Sequence, residues 1–288
     1  MSRLDLYNRV AQETSSVVIR RYSTSFGLAS TLLEPVVRRH VENIYALVRV
    51  ADEIVDGVAA EAGLDTVECA RQLNELERET HTAIASGFSA NLVVHAFALT
   101  ARETGFGEEL TAPFFESMRM DLSAKEHDQH SFDRYVYGSA EVVGLMCLRA
   151  FLAQKTLTAA ELERFEAGAC ALGAAFQKVN FLRDLAADFD SLGRSYFPGV
   201  SVESFTEADK VRLLDDIDTD LRTSAGVIPD LPRGSRRAVV LAHDLFAELS
   251  RRLRATPAAA LRTVRIRVPN PVKARIAAGA AIGRKPRQ

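Results

Sequence analysis

Two pairs of aspartates, each pair four residues apart, stand in segments that are otherwise mostly apolar. Asp52 and Asp56 lie in ALVRVADEIVDG, and Asp184 and Asp188 lie in NFLRDLAADFD. Because residues four apart are neighbours on one helix face, each pair would project from its helix in one direction. Two carboxylates on one face suit a hard divalent cation, which prefers oxygen ligands.

The first pair shares its predicted helix face with other polar side chains. At about 100° per residue, four side chains fall within about 60° of one another: Tyr45, Arg49, Asp52 and Asp56. The rest of this segment is nearly all apolar, which is typical of a buried helix, so the polar face must meet a partner or an internal cavity. Arg49 could instead pair with Asp52 within the helix, although this leaves Glu53 and Asp56 unexplained. The segment alone leaves both interpretations open.

The second pair shows the same arrangement with more oxygen donors. Four side chains fall within roughly 80°: Gln177, Asn180, Asp184 and Asp188. Two inward-facing aspartate pairs would repel each other, whereas Mg²⁺ ions would relieve the repulsion and attract a diphosphate. Arg49, Arg183 and Arg194 are suitable phosphate donors. The competing interpretation is a metal-free network of Arg–Asp pairs.

The composition argues against several other classes of protein. The chain has 288 residues and a net charge of -2, which gives no indication of nucleic-acid binding. Its three cysteines form no CxxC pair, and its histidines show no zinc or di-iron spacing. The first residues lack a signal-peptide core, and no apolar run reaches about 18 residues. These features predict a soluble, cytoplasmic protein.

The C-terminal residues 262–288 form a basic tail, with eight Lys or Arg and no Asp or Glu. The simple expectation is a solvated tail. The alternative is weak attraction to phosphates or anionic lipid head groups, which would bring the protein into peripheral contact with the inner face of the membrane.

Helical periodicity dominates the whole chain. It predicts helices near 3–21, 36–57, 64–86, 89–104, 108–124, 131–153, 158–190, 206–223, 235–254 and 257–281. With neither an internal repeat nor a low-complexity linker, the economical prediction is one all-α domain spanning residues 1–288.

Four segments, in order along the chain, resemble motifs of the squalene/phytoene synthase family, the head-to-head prenyl synthases. They are YSTSF (22–26), YALVRVADEIVD (45–56), YVYGSAEVVGLM (135–146) and FQKVNFLRDLAADFDSLGRSYFP (176–198). The segments 135–146 and 176–198 resemble bacterial phytoene synthases more than squalene synthases. The resemblance implies a single-domain, isoprenoid-synthase-type helical bundle around a central cavity.

The resemblance also implies roles for individual residues. The implied ligands of Mg²⁺, or of Mn²⁺ in its place, are Asp52, Asp56, Asn180, Asp184 and Asp188. The implied contacts to diphosphate or its waters are Arg49, Gln177, Arg183 and Tyr196, with Arg265 as a further candidate. Tyr22, Ser23, Ser25 and Phe26 would lie at the mouth of the site, and Tyr45 and Tyr135 near the reacting carbons. Small or apolar residues, Val143 and Gly144 among them, would line the cavity or simply let helices pack closely.

The implied activity is an Mg²⁺-dependent condensation of two geranylgeranyl diphosphates, through a cyclopropyl (prephytoene) diphosphate, to phytoene in carotenoid biosynthesis. Such a product needs no NADPH. The alternative is a farnesyl diphosphate-using enzyme that makes presqualene diphosphate, squalene or dehydrosqualene. Thr24, Glu53 and Lys178 depart from residues common in the family, which affects the expected phosphate contacts and substrate length. A non-catalytic helical assembly factor and a one-substrate terpene cyclase fit the two aspartate pairs and the trailing GRSYFP less well.

Overall fold

The computed structural model is all-α over the residues that it describes, 2–123, 126–192, 196–201 and 204–287, with the side chains of 186–192 left out. The helices are α1 (Arg3–Tyr22), α2 (Thr24–Ser30), α3 (Pro35–Val55), α4 (Val58–Glu61), α5 (Thr66–Ser86), α6 (Leu92–Thr104), α7 (Glu108–Ser123), α8 (Gln129–Val136), α9 (Val142–Leu152), α10 (Ala159–Leu192), α11 (Glu207–Val227), α12 (Arg233–Ala255), α13 (Ala258–Leu261) and α14 (Asn270–Ala281). A π-helical turn (Tyr137–Glu141) joins α8 to α9, and a 3₁₀ turn (Ile228–Asp230) follows α11.

Most predicted helices are confirmed, but the last one is wrong. Instead of one helix over 257–281, the short α13 ends at Leu261 and α14 begins only at Asn270. Residues 262–269 contain four β-branched residues and end in Pro269. β-Branched side chains lower helix propensity, and proline disfavours helical backbone in the residue before it, so this stretch is irregular. The periodicity also missed the short helices α2 and α4.

The helix that carries the first aspartate pair ends earlier than predicted. α3 stops at Val55, and Asp56 is its C-cap residue, whose backbone N–H still donates to the Asp52 carbonyl at 2.8 Å. Gly57 follows with φ 110°, a left-handed conformation that glycine adopts without a Cβ penalty. The chain therefore turns away directly after the aspartate pair.

Three apolar clusters form the core and are connected to one another. One surrounds the second half of α10 with α11 and α12, one surrounds α3, α6 and α7, and one lies under α12 and α14. Leu172 packs against the first and third clusters, and Leu145 against the second and third. Helix α9 packs against both α3 and α10, so it joins the two helices that carry the aspartate pairs.

The helical stretch Gln129–Leu152 has the length and apolar composition of a membrane-crossing helix, and half of its apolar window is buried inside the fold.

The π turn within the stretch Gln129–Leu152 lies very close to α7. A Cβ at Gly138 would lie 2.1 Å from Ser117 Oγ and 2.2 Å from the Pro113 carbonyl oxygen. Only glycine permits this approach, which brings the second half of α7 against the α8–α9 stretch.

Candidate active site

The predicted polar face of α3 is present. Tyr45, Arg49 and Asp52 are partly buried, whereas Asp56 is exposed at the helix end. Positions on the other faces, including Ala46, Leu47 and Ala51, are buried to 1% exposure or less. This is the division that the apolar pattern predicted, because polar side chains in a mostly buried helix are placed where charge can be solvated or bound.

Arg49 is held by more partners than the sequence suggested. Its Nε donates to the Glu53 carboxylate at 2.6 Å, whereas its NH1 lies 3.9 Å from Asp52. Its guanidinium also lies over the Tyr22 ring, 4.7 Å from the centroid. Arg49 therefore pairs mainly with Glu53 rather than with Asp52. The negative charge of the Asp52 carboxylate is only weakly compensated by Arg49.

The electrostatics of Asp52 show an excess of negative charge at this end of α3. Burial raises the pKa of Asp52 well above its usual range, and the carboxylates of Asp56, Asp121 and Glu53 raise it further. The attraction of Arg49 acts in the opposite direction and does not cancel these effects. A cation bound here would stabilise the ionised form of the Asp52 carboxylate.

Asp121, on α7, is a site residue that the sequence reasoning missed. It is only 8% exposed. The Tyr135 hydroxyl lies 2.9 Å from each of its carboxylate oxygens, and the Tyr196 hydroxyl lies 3.3 Å from one of them. A signal was available, because Phe114, Met118 and Asp121 are spaced as the buried face of one helix. A carboxylate on such a face requires a polar partner.

Aromatic rings connect this carboxylate to α10. Phe181 stacks on Tyr196 with ring centroids 4.0 Å apart and 9° between planes, and Tyr135 lies 5.8 Å from Phe181. Burial raises the pKa of Tyr135 well above its usual range, and the charges of Asp121 and Asp56 add to the shift. The Tyr135 hydroxyl thus lies within electrostatic reach of α3, while its ring packs against α10.

The polar face of α10 also matches the prediction, as far as it is described. Gln177, Asn180, Arg183 and Asp184 are partly exposed. The positions predicted to lie off this face, Val179, Phe181, Leu182 and Leu185, are buried. Asp188 lies on the helical backbone, but its side chain and the whole of Arg194 fall outside the described residues.

Asp184 accepts hydrogen bonds from two arginines. Arg183 Nε donates to it at 2.9 Å, and Arg265 Nε lies 2.7 Å from the same carboxylate. Arg265 comes from the irregular segment 262–269, which the sequence predicted as helix. The structure therefore brings the late arginine to the second aspartate pair, and the Arg–Asp interpretation describes the ligand-free contacts of Asp184.

The YSTSF segment lies between the two charged helices. Phe26 on α2 is 6.4 Å from Tyr45 of α3 and 5.6 Å from Phe176 of α10, measured between ring centroids. Ser23 caps α2 by accepting the Phe26 backbone N–H at 3.0 Å, and Ser25 is partly buried on the same helix. Burial raises the pKa of Tyr45. Phe26 therefore has aromatic neighbours on both α3 and α10.

The small residues of α9 and α10 allow close helix packing. A Cβ at Gly144 would lie 2.7 Å from the Ala169 carbonyl oxygen, and one at Gly173 would lie 2.6 Å from that of Ala140. Val143 is partly buried against the cluster around α3. The packing role is thus supported for Gly144, and contact of Val143 and Gly144 with a substrate stays a prediction.

Lys178 points away from the polar face of α10. Its ammonium donates to Asp216 at 2.6 Å and to Asp220 at 2.8 Å, both on α11. The lysine at this usually apolar position is therefore compensated by acidic residues of the neighbouring helix, and it takes no part in the site.

The donor chemistry of these residues fits Mg²⁺, although a complete protein cage is not formed. Within the described part of the chain, no three His, Cys, Asp or Glu side chains converge to hold a metal ion. The donors that line α3 and α10 are carboxylate and amide oxygens, which Mg²⁺ prefers, and this ion keeps waters and shares phosphate oxygens. Burial and the nearby carboxylates raise the pKa of Asp52, and a bound cation would stabilise its ionised form.

Comparison with known proteins gives matches over most of the chain. The family model for squalene/phytoene synthase matches residues 19–271. The chain is 30% identical over 190 residues to a 15-cis-phytoene synthase from Paracoccus sp. (strain N81106 / MBIC 01143), covering 65% of this chain and 59% of that one. It is 26% identical over 253 residues to a phytoene synthase from Pseudescherichia vulneris, covering 81% and 79% of the two chains.

The fold is similar to that of a dehydrosqualene synthase solved in complex with a ligand. The TM-score is 0.72 at 20% identity, over 95% of this chain and 96% of that one. The matching order of motifs, the two charged helix faces and the all-α architecture lead to the same assignment. The chain belongs to the squalene/phytoene synthase family, a family of prenyltransferases.

Proposed function

We propose that the protein joins two molecules of geranylgeranyl diphosphate head to head, with Mg²⁺, to form phytoene by way of a cyclopropyl diphosphate. The observation that carries the proposal is the pair of acidic helix faces, on α3 and α10, in a chain whose curated relatives include phytoene synthases. The first of those relatives is matched over 59% of its length, so its activity is transferred here as a proposal.

The residues of the chain have distinct parts in this reaction. Asp52, Asp56, Asn180, Asp184 and Asp188 would hold Mg²⁺ or, in its place, Mn²⁺. The ion, when bound, supplies positive charge that stabilises a departing diphosphate. Arg49 lies 3.9 Å from Asp52, and Arg183 and Arg265 both contact Asp184, so these guanidinium groups would bind diphosphate oxygens. Departure of the first diphosphate leaves an allylic cation, which the double bond of the second substrate attacks, and loss of a proton closes the cyclopropane. Loss of the second diphosphate, rearrangement and loss of a second proton then give the hydrocarbon.

Aromatic side chains protect and stabilise such a cation. Phe26 of α2 lies near the rings of Tyr45 and Phe176, and Tyr135 of α8 lies near Phe181 of α10. Their faces favour nearby positive charge, and their apolar edges keep out water, which would otherwise trap the cation. The proposed substrate-binding set therefore also includes Tyr22, Ser23, Ser25, Gln177 and Tyr196.

The alternative is a farnesyl diphosphate-using enzyme that makes presqualene diphosphate, squalene or dehydrosqualene. The fold similarity to a dehydrosqualene synthase supports it. The proposal further includes a cytoplasmic location with peripheral membrane contact, since Arg262, Arg267 and Arg275 of the basic tail are exposed.

Incubation with each allylic diphosphate, with and without Mg²⁺ and with and without NADPH, tests the proposal. The expected result is a forty-carbon hydrocarbon from geranylgeranyl diphosphate that requires Mg²⁺ and forms without NADPH. A thirty-carbon product from farnesyl diphosphate alone would establish the alternative. If no prenyl diphosphate is consumed, both versions are refuted.

A further inference from the structure

We infer that Asp121 is a positioning residue for the proposed reaction, and that it acts by holding the hydroxyls of Tyr135 and Tyr196. The inference rests on the proposed function for its kinetic consequence. Its geometric content stands on the contacts around Asp121 alone.

The contacts of Asp121 are unequal. Both of its carboxylate oxygens are 2.9 Å from the Tyr135 hydroxyl, whereas one is 3.3 Å from the Tyr196 hydroxyl. Burial of Asp121 to 8% exposure limits competition from water and so strengthens its hydrogen bonds. The contact of Asp121 with Tyr135 is thus shorter than its contact with Tyr196, and it orients the Tyr135 ring through the hydroxyl.

Helix α7 contacts the backbone of Tyr135 as well as its hydroxyl. The absence of a side chain at Gly138 lets α7 approach the π turn, and Ser117 Oγ donates to the Tyr135 carbonyl at 3.2 Å. Ser117 lies one turn before Asp121 on the same face of α7. The backbone of Tyr135 is therefore fixed by one residue of α7 and its hydroxyl by another.

His127 packs against the rings of both tyrosines and is uncharged. Its ring lies 6.0 Å from Tyr196 with 12° between planes, and 5.2 Å from Tyr135. Its Nδ1 is buried and has no hydrogen-bond partner within the described residues. Burial lowers the pKa of His127, so the imidazole is neutral at pH 7. It does not compete with the tyrosine hydroxyls as a cationic partner for Asp121.

The chemical consequence lies in the Tyr135 ring. A phenol that donates to a carboxylate carries more negative charge on its oxygen and ring, which strengthens the attraction of the ring face for a cation. The carboxylate would thus assist the carbocation steps through Tyr135 while remaining enclosed by aromatic rings.

A ligand-free measurement tests the contact itself. The chain has six tyrosines and no tryptophan, so its near-ultraviolet absorption and emission report on tyrosine. A phenol bonded to a carboxylate absorbs at longer wavelength and emits less than one bonded to an amide. Asp121→Asn is expected to shift the absorption to shorter wavelength and raise the emission. The same change made in a Tyr135→Phe background should give less than half of this effect. An equal effect in both backgrounds overturns the inference.

Steady-state kinetics test the role. Asp121→Asn and Tyr135→Phe are each expected to lower kcat at least tenfold, with KM for the prenyl diphosphate within threefold of wild type. The double variant should be no slower than the slower single variant, because residues that act as a unit are not additive. Glu116→Gln is the matched control, an exposed carboxylate on the same helix that pairs with Arg134. It should keep kcat within twofold.

The outcomes separate this inference from the proposed function. Wild-type protein that consumes no prenyl diphosphate refutes the function, while the spectra still decide whether Asp121 holds Tyr135. Wild-type turnover with an unchanged kcat in Asp121→Asn refutes the inference alone. If Asp121→Asn does not fold, Tyr135→Phe decides, since it keeps the ring and removes only the hydroxyl. A normal kcat in that variant would overturn the inference.

Discussion

Replacement of Asp52 by asparagine is expected to stabilise the metal-free protein while abolishing turnover. Burial and neighbouring carboxylates raise the pKa of Asp52 in the folded state, so the folded protein binds its proton more tightly than the unfolded chain does. Ionised Asp52 therefore costs folding free energy, and this cost appears as the pH rises above the unfolded value of about 4 and through the folded pKa. Asparagine removes the cost and one predicted ligand of Mg²⁺.

The magnitude follows from the spacing of the carboxylates. Side chains four residues apart on a helix lie about 6 Å from each other, and two unit charges at that distance repel by about 3 kcal/mol at an effective dielectric of 20. The Asp52 side chain is 28% exposed. Solvent and salt would reduce the repulsion to about 1 kcal/mol, which corresponds to a rise in Tm of about 2 °C. Arg49 keeps its Glu53 partner, so little attraction is lost.

Thermal unfolding at pH 5 and pH 8 provides the assay. Without metal, the Tm of Asp52→Asn should exceed that of wild type, by more at pH 8 than at pH 5. Added Mg²⁺ and inorganic diphosphate should raise the wild-type Tm, since a ligand at 100 times its Kd stabilises by about 2.7 kcal/mol. The variant should lose most of this response, and its helical circular dichroism should be unchanged.

Asp216→Asn is the matched control. Asp216 and Asp220 are also four residues apart, but Lys178 donates to both, at 2.6 and 2.8 Å. Loss of one of them removes attraction as well as repulsion, so the metal-free Tm should not rise and the response to Mg²⁺ should remain. The reasoning is refuted if Asp52→Asn lowers the metal-free Tm at pH 8, because Asp52 would then be one half of a structural ion pair.

Three other substitutions test the contacts of the site and its support. Arg265→Gln removes a half-exposed contact to Asp184 and should cost under about 1 kcal/mol of stability. It should also raise KM for the prenyl diphosphate about tenfold. An unchanged KM would contradict the proposed contact of Arg265 with phosphate. Gly138→Ala forces a Cβ to 2.1 Å from Ser117 Oγ and should lower the free energy of unfolding by about 1–3 kcal/mol in urea titrations; wild-type stability would contradict the close packing. Lys178→Met leaves two acidic partners unpaired and should cost about 2 kcal/mol. The loss should be larger at pH 8 than at pH 5, because burial raises the pKa of Asp220 and this carboxyl takes up a proton as the pH falls; the same loss at both pH values would show that the charge is unimportant.

Local sequence patterns were sufficient for the parts of the site that lie on one helix. The polar faces of α3 and α10 are confirmed because the positions of side chains around a helix depend only on residue spacing. The family motifs are likewise linear, and the family match confirms the resemblance that they indicated. The helical pattern gave a wrong prediction where helix propensity is weak. In 262–269, β-branched residues and Pro269 interrupt the predicted last helix.

Contacts between helices were decided only by the tertiary structure. Nothing in the spacing of Asp121, Tyr135 and Tyr196 along the chain indicates that they meet, because the meeting depends on how closely α7 packs against the π turn. The same holds for Arg265, which reaches Asp184 across 81 residues. The sequence by itself determined which residues share a helix face and which family the chain belongs to. The packing of helices determined which faces share a site, since side chains distant in sequence become neighbours only when the backbones that carry them are brought together.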